Sequence, residues 1–200
     1  MKKQVILIHG GETFDTYEEY FEYLKAAEFD PGRLEEKRWK DTFAEDLGDE
    51  FQVTAPEMPC KYNAKYSEWK IWLEKVTPFA EGDIILVGHS LGALFLAKYL
   101  AEEDFPKKIL ATYLIAAPFD TENADYSLGD FILPTTLEKF EKQGGKIFLY
   151  QSEDDPLVSL SDFEKYQAAL PTAEAVTFKD RGHFSQKKLP ELIESIRALG

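Results

Sequence analysis

The sequence predicts an α/β fold, with one doubly wound, mostly parallel sheet of six strands and helices on both faces. Three observations carry that expectation. Short apolar runs alternate with helical stretches from end to end, the pattern that builds a parallel sheet through crossover helices. Most of these runs are continuously apolar, as strands covered on both faces require. The third is the heptapeptide "LVGHSLG" at residues 86–92, which joins one such run to one such helix through a serine between two glycines.

The expected strands are Gln4–Ile8, Phe51–Ala55, Ile84–Gly88, Ile109–Ile115, Lys146–Gln151 and Ala175–Lys179. Helices are expected at Arg38–Leu47, Tyr66–Val76, Leu91–Glu103, Thr135–Gln143, Ser161–Leu170 and Pro190–Leu199. Within Tyr66–Val76 the apolar positions Tyr66, Trp69, Trp72, Leu73 and Val76 follow helical spacing. In "SLSDFEKY", Ser161 reads as an N-cap, with Glu164 completing a capping box. Two segments exceed the minimal alternation. Residues 12–37 hold an aromatic-rich amphipathic helix, with Tyr17, Tyr20, Phe21 and Leu24 at helical spacing. Its aromatic face either borders a substrate pocket as a flap or packs on a remote flank of the sheet. Residues 118–133 are too long for a simple strand-to-helix connection. The chain reads as a single domain, 1–200, with a helical insertion at about 12–37.

Composition removes several function classes. A chain that is 44% hydrophobic and 14% aromatic can build a core, which argues against wholesale disorder. No apolar run approaches the roughly 18 residues of a membrane span, so no membrane insertion is expected. The 37 acidic against 23 basic residues give a net charge of -14. Such a surface repels phosphate backbones and anionic headgroups, so nucleic acid is not an expected partner. Cys60 is the single cysteine, which excludes an internal disulfide and a cysteine zinc cluster and makes a reducing, cytoplasmic setting the expectation.

The chemistry starts at "GHSLG", a G-x-S-x-G elbow placed after an apolar strand and before an apolar helix. The glycines allow close backbone approach, and Ser90 is pushed above the sheet edge as a nucleophile with the helix N-terminus directed at it. A serine is a weak nucleophile and needs a base in contact. Of the three histidines, His9 sits inside "LIHGG" and His89 is locked in the elbow, which leaves His183 of "DRGHFS", after the last strand, as the base. The base needs a carboxylate to hold its tautomer. "SEDDPLVS" offers Asp155 first and Asp154 second, and Asp120 one strand earlier is the third choice. An oxyanion needs two preorganised N–H donors. The amide of Leu91 is one; Gly11 in "HGGE" is the other, with Glu12 its neighbouring alternative. The glycine pair is not a nucleotide loop, because no lysine or G-x-G-x-x-G follows.

The order "LIHGG", "GHSLG", "SEDDPLVS", "DRGHF" resembles the α/β-hydrolase superfamily over nearly the whole chain, and its compact serine hydrolases in particular. The resemblance implies a Ser90–Asp155–His183 triad, sheet order 2-1-3-4-5-6, no full cap domain, and no metal or other cofactor. It also implies cleavage of a small-molecule ester, thioester or amide, with carboxylesterase chemistry foremost. An acyltransferase or lyase could use the same triad, and an interaction module could carry it idle. Phe119, Tyr126, Phe131 and Leu133 are the candidate walls of an acyl pocket. The acidic segment beginning at Glu12, beside the oxyanion loop, departs from the usual pattern.

Overall fold

The computed structural model describes residues 2–34, 36–122 and 126–199. Residues 123–125 of the long 118–133 connection, and residue 35 of the 12–37 insertion, lie outside the described residues. The strands are β1 (Lys3–Ile8), β2 (Phe51–Thr54), β3 (Ile84–His89), β4 (Ile109–Ile115), β5 (Lys146–Ser152) and β6 (Glu174–Phe178). They form one sheet in the order β2-β1-β3-β4-β5-β6. Every neighbouring pair is parallel. The order reverses between β1 and β3, which opens a crevice at their carboxyl ends.

Both faces are covered, and the pleat sorts the strand residues between them. Val5, Leu7, Ile85, Val87, Tyr113, Ile115, Phe148 and Tyr150 point to one side, where they meet Trp39, Phe43 and Leu47 of α2 (Trp39–Leu47) and Leu192 and Ile196 of α7 (Pro190–Ala198). Ile6, Ile8, Ile84, Leu86, Leu114, Ile147 and Leu149 point to the other. There they pack against α3 (Tyr66–Val76), α4 (Leu91–Glu102), α5 (Glu138–Gln143) and α6 (Leu160–Ala169). Alternate residues of one strand thus serve two cores, which is why the runs are apolar throughout. Helix α4 is apolar on nearly every side, with nine of its residues buried from Leu91 to Leu100. Among the described residues no helix is long and apolar enough to cross a membrane.

Three local readings change. Helix α5 begins at Glu138 and not at Thr135, because the Thr136 hydroxyl turns back to accept the Glu138 N–H and Leu137 is drawn into the core. The N-cap of α6 is Ser159, whose hydroxyl accepts from the Asp162 N–H, while Ser161 lies inside the helix. A capping box does occur at α1 (Tyr17–Ala26), where Thr16 and Glu19 satisfy one another's backbone N–H. That helix has no buried residue and contributes to neither core cluster, so its aromatic stripe does not pack on a flank of the sheet.

Candidate active site

The elbow is built by close approach. Strand β3 runs into α4 through Ser90, whose backbone is left-handed at φ 56°, ψ −126°, a conformation that costs a non-glycine residue about 1–3 kcal/mol. It is held by the Ser90 N–H donating to the Ile115 carbonyl and the Ser90 carbonyl accepting from Ala93, both at 2.8 Å. A Cβ on Gly92 would lie 2.4 Å from the carbonyl oxygens of Ile8 and His9, and one on Gly88 would lie 2.5 Å from the Ala93 Cα. Both glycines of the motif are therefore steric requirements: α4 starts in contact with the end of β1 and the end of β3.

The loop after β1 crosses the elbow. A Cβ on Gly10 would sit 3.1 Å from the Ser90 Cβ, and one on Gly11 would strike the Lys61 carbonyl at 2.7 Å with Trp69 behind it. His9 fixes the loop's course. Its Nε2 accepts from the Met58 N–H at 2.9 Å, so its Nδ1 carries the proton and donates to the Gly10 carbonyl at 2.6 Å. The Glu12 N–H is spent on the Lys61 carbonyl and the Glu12 carbonyl accepts from Ala64, each at 2.8 Å. That removes Glu12 as an amide donor and favours Gly11. Leu91, the first residue of α4, has no intrahelical acceptor for its own N–H. Partial desolvation raises the Glu12 carboxyl pKa and the field of His183 opposes that rise, so this acid stands within electrostatic reach of His183.

His183 and Asp155 meet. The imidazole Nδ1 lies 2.9 Å from Asp155 Oδ2 and 3.1 Å from Oδ1, and the Asp155 side chain is fully shielded from solvent. Its Oδ1 also accepts the N–H groups of Leu157 at 2.9 Å and Val158 at 3.1 Å. The other two acids do different work. Asp154 Oδ1 accepts from the Ser152 hydroxyl at 2.5 Å and the Gly182 N–H at 2.8 Å, bracing the loop that carries His183. Those hydrogen bonds hold its carboxyl below the usual range. Asp120 is paired with Lys165 at 2.6 Å.

His89 has a role that the sequence does not disclose. Its buried ring lies 5.0 Å from that of His183, centroid to centroid. Its Nε2 donates to the His183 carbonyl at 2.9 Å and its Nδ1 receives Lys40 Nζ at 2.9 Å. Burial first, and the nearby Lys40 charge second, keep His89 well below the ordinary 6.5; burial also lowers His9. In acid the unfolded chain therefore binds protons that the folded chain refuses. The stability these two sites contribute is full above about pH 6.5 and is lost as pH falls toward their folded values. Urea midpoints should accordingly drop between about pH 7 and about pH 5, above the range where carboxylates titrate, and His89→Gln should narrow the gap. An equal drop in the variant would refute this cause.

The four expected pocket walls do not share one fate. Phe131 has no exposed surface and packs edge-on against Trp69, 5.4 Å between centroids, so it is a core residue with nothing to offer a substrate. Phe119, Tyr126 and Leu133 are partly buried against the same core. Phe119 stands edge-on to Tyr166, and the buried Tyr126 hydroxyl has no hydrogen-bond partner among the described residues. Tyr17 and Tyr20 of α1 line an open cleft of about 340 Å³ with Cys60, Tyr62 and Lys65.

Comparison with known proteins speaks to the family and the fold. Residues 32–195 match the family described as Serine hydrolase. Serine hydrolase RBBP9 of Rattus norvegicus is 30% identical over 149 residues, covering 74% of this chain and 78% of that protein. The ydeN gene product from B. subtilis superposes with a TM-score of 0.71 at 18% identity, covering 99% of this chain and 98% of that one. Naproxen esterase (carboxylesterase NP) from Bacillus subtilis superposes with a TM-score of 0.62 at 13% identity, covering 100% and 84%. At such identities these two structures speak for the fold.

Proposed function

The chain belongs to the serine hydrolase family, and on that footing we propose that it cleaves a small ester, thioester or amide through a Ser90–His183–Asp155 triad and an acyl-enzyme. The observation that carries this reading is the contact of His183 Nδ1 with the shielded Asp155 carboxylate, in a loop bonded to the elbow of Ser90. With Nδ1 engaged, Nε2 is the nitrogen left to take the Ser90 proton as the oxygen attacks the substrate carbonyl. The amides of Leu91 and Gly11 would receive the oxyanion. His183 would then return the proton to the leaving group, and water would release the acyl group by the same steps.

Phe119, Tyr126 and Leu133 are the proposed contacts for the acyl group. A small-molecule ester of the carboxylesterase kind is the proposed substrate, and the lone cysteine supports a cytoplasmic setting. A fluorophosphonate probe tests the nucleophile. Rapid labelling, mapped by mass spectrometry to Ser90 and abolished by acid denaturation beforehand, is the expected result. Failure of the native protein to label, or labelling elsewhere, would sink the assignment. A p-nitrophenyl ester series of graded length, run beside aminoacyl amides, then ranks the substrate classes.

A further inference from the structure

The first two residues of α2 grip the loop that carries the proposed base. The Trp39 N–H donates to the Gln186 carbonyl and its indole Nε1–H to the Phe184 carbonyl, each at 2.9 Å. Lys40 reaches the remaining carbonyl of the set indirectly, since its Nζ donates to His89 Nδ1 and His89 Nε2 donates to the His183 carbonyl. A carbonyl oxygen only accepts, so His89 Nε2 must carry the proton; Nδ1 is then bare and needs a donor. Lys40 is the side chain that supplies one. Phe184, next to the base, is fully buried with φ 50°, so the loop has a strained bend that must be held in place.

We propose that Lys40 is a positioning residue for the active site: through the neutral, Nε2-protonated His89 it fixes the backbone of His183 and so the aim of its imidazole at Ser90. This deepens the triad reading and rests on it. Without Lys40 the buried His89 Nδ1 would lack a donor, and the ring would turn away from its present seat to find one. A turned ring aims its Nε2–H away from the His183 carbonyl, and the loop loses that anchor. Lys40 suits the task because it is a flexible point donor lying beside the Trp39 ring, 5.5 Å from its centroid. Burial, with Arg38 adding to it and Asp41 opposing, brings its pKa down to about 8. Below that value its charge also discourages a second proton on His89; above it the neutral amine still donates.

The test is Lys40→Met with Lys40→Arg beside it, read by ester turnover and by 15N NMR of the His89 ring. Because a 1 Å misplacement at a reacting centre costs about a hundredfold, a small shift of a loop that Trp39 still holds should cost kcat about tenfold in Lys40→Met, with KM within about twofold. The wild type should show His89 with Nε2–H and a hydrogen-bonded, unprotonated Nδ1, Lys40→Met an unbonded Nδ1 with faster exchange of the Nε2 proton, and Lys40→Arg recovery of both kcat and the ring resonances. A lower Tm in Lys40→Met with kcat and the exchange of the His89 Nε2 proton unchanged would mean a merely structural lysine and overturn the proposal. If Lys40→Met does not fold, the wild type and Lys40→Arg decide it: Nδ1–H on His89 in the wild type overturns the assignment. The NMR readout needs no activity, so a wild type inert to fluorophosphonate would defeat the triad reading without being confused with either outcome.

Discussion

Replacing Ser90 or His183 by alanine should each lower ester turnover by several orders of magnitude, up to about a million-fold, with the double variant hardly worse than either single one. The members act as a unit: without the hydroxyl there is no acyl-enzyme, and without the imidazole nothing takes its proton. The fold should survive both changes. Alanine keeps the Cβ of Ser90 and all three of its backbone hydrogen bonds, to Ile115, Ala93 and Leu94. Loss of the His183 ring leaves Asp155 with two backbone N–H donors on Oδ1, so its buried charge stays compensated. Near-normal turnover by either variant, on every substrate the wild type cleaves, would show that the nucleophile or the base lies elsewhere.

The second large effect separates the acids. Asp155→Asn should leave the structure intact and reduce turnover by roughly ten-thousand-fold. The oxygen of the new amide would stay on the N–H groups of Leu157 and Val158, which need an acceptor. That turns the amide NH2 toward His183 Nδ1. The imidazole is then driven to the Nε2–H tautomer, which cannot accept the Ser90 proton. Asp154→Asn should be mild, because a single oxygen, Oδ1, accepts from both Ser152 and Gly182, and asparagine keeps one. Steady-state kinetics on one ester ranks them. The reverse order would move the acid by one residue, and a large loss only in Asp120→Asn would move it by one strand.

Most of the sheet was legible because a strand serving two cores must be apolar at every position, and that run survives in one dimension. The elbow was legible for a similar reason: Gly88 and Gly92 stand where any Cβ would strike backbone. The supports of the site were not. Nothing near Lys40 in the chain marks it as a donor to a histidine 49 residues away, and Asp154 and Asp155 differ only in which way a turn points them. Phe131 and Phe119 are also alike as letters; burial separates them. The sequence points to Ser161 as the N-cap of α6 and the structure uses Ser159, because both serines share one hydrogen-bonded cluster with Asp162 and only the backbone decides between them.

The all-parallel order of the sheet ties activity to the end of folding. Gly11 follows β1, Ser90 follows β3, Asp155 follows β5 and His183 follows β6, and no two of these strands are joined by a hairpin. Each pairing waits on a crossover, so the contacts are distant in sequence and slow to form. A chain with β1 and β3 joined holds the proposed nucleophile and oxyanion loop without the proposed base, and one with β5 and β6 joined holds the reverse. Neither half can cleave anything. β4, which contributes no residue to the proposed triad or oxyanion hole, is the seam between them, and regained turnover in refolding reports that the seam has closed.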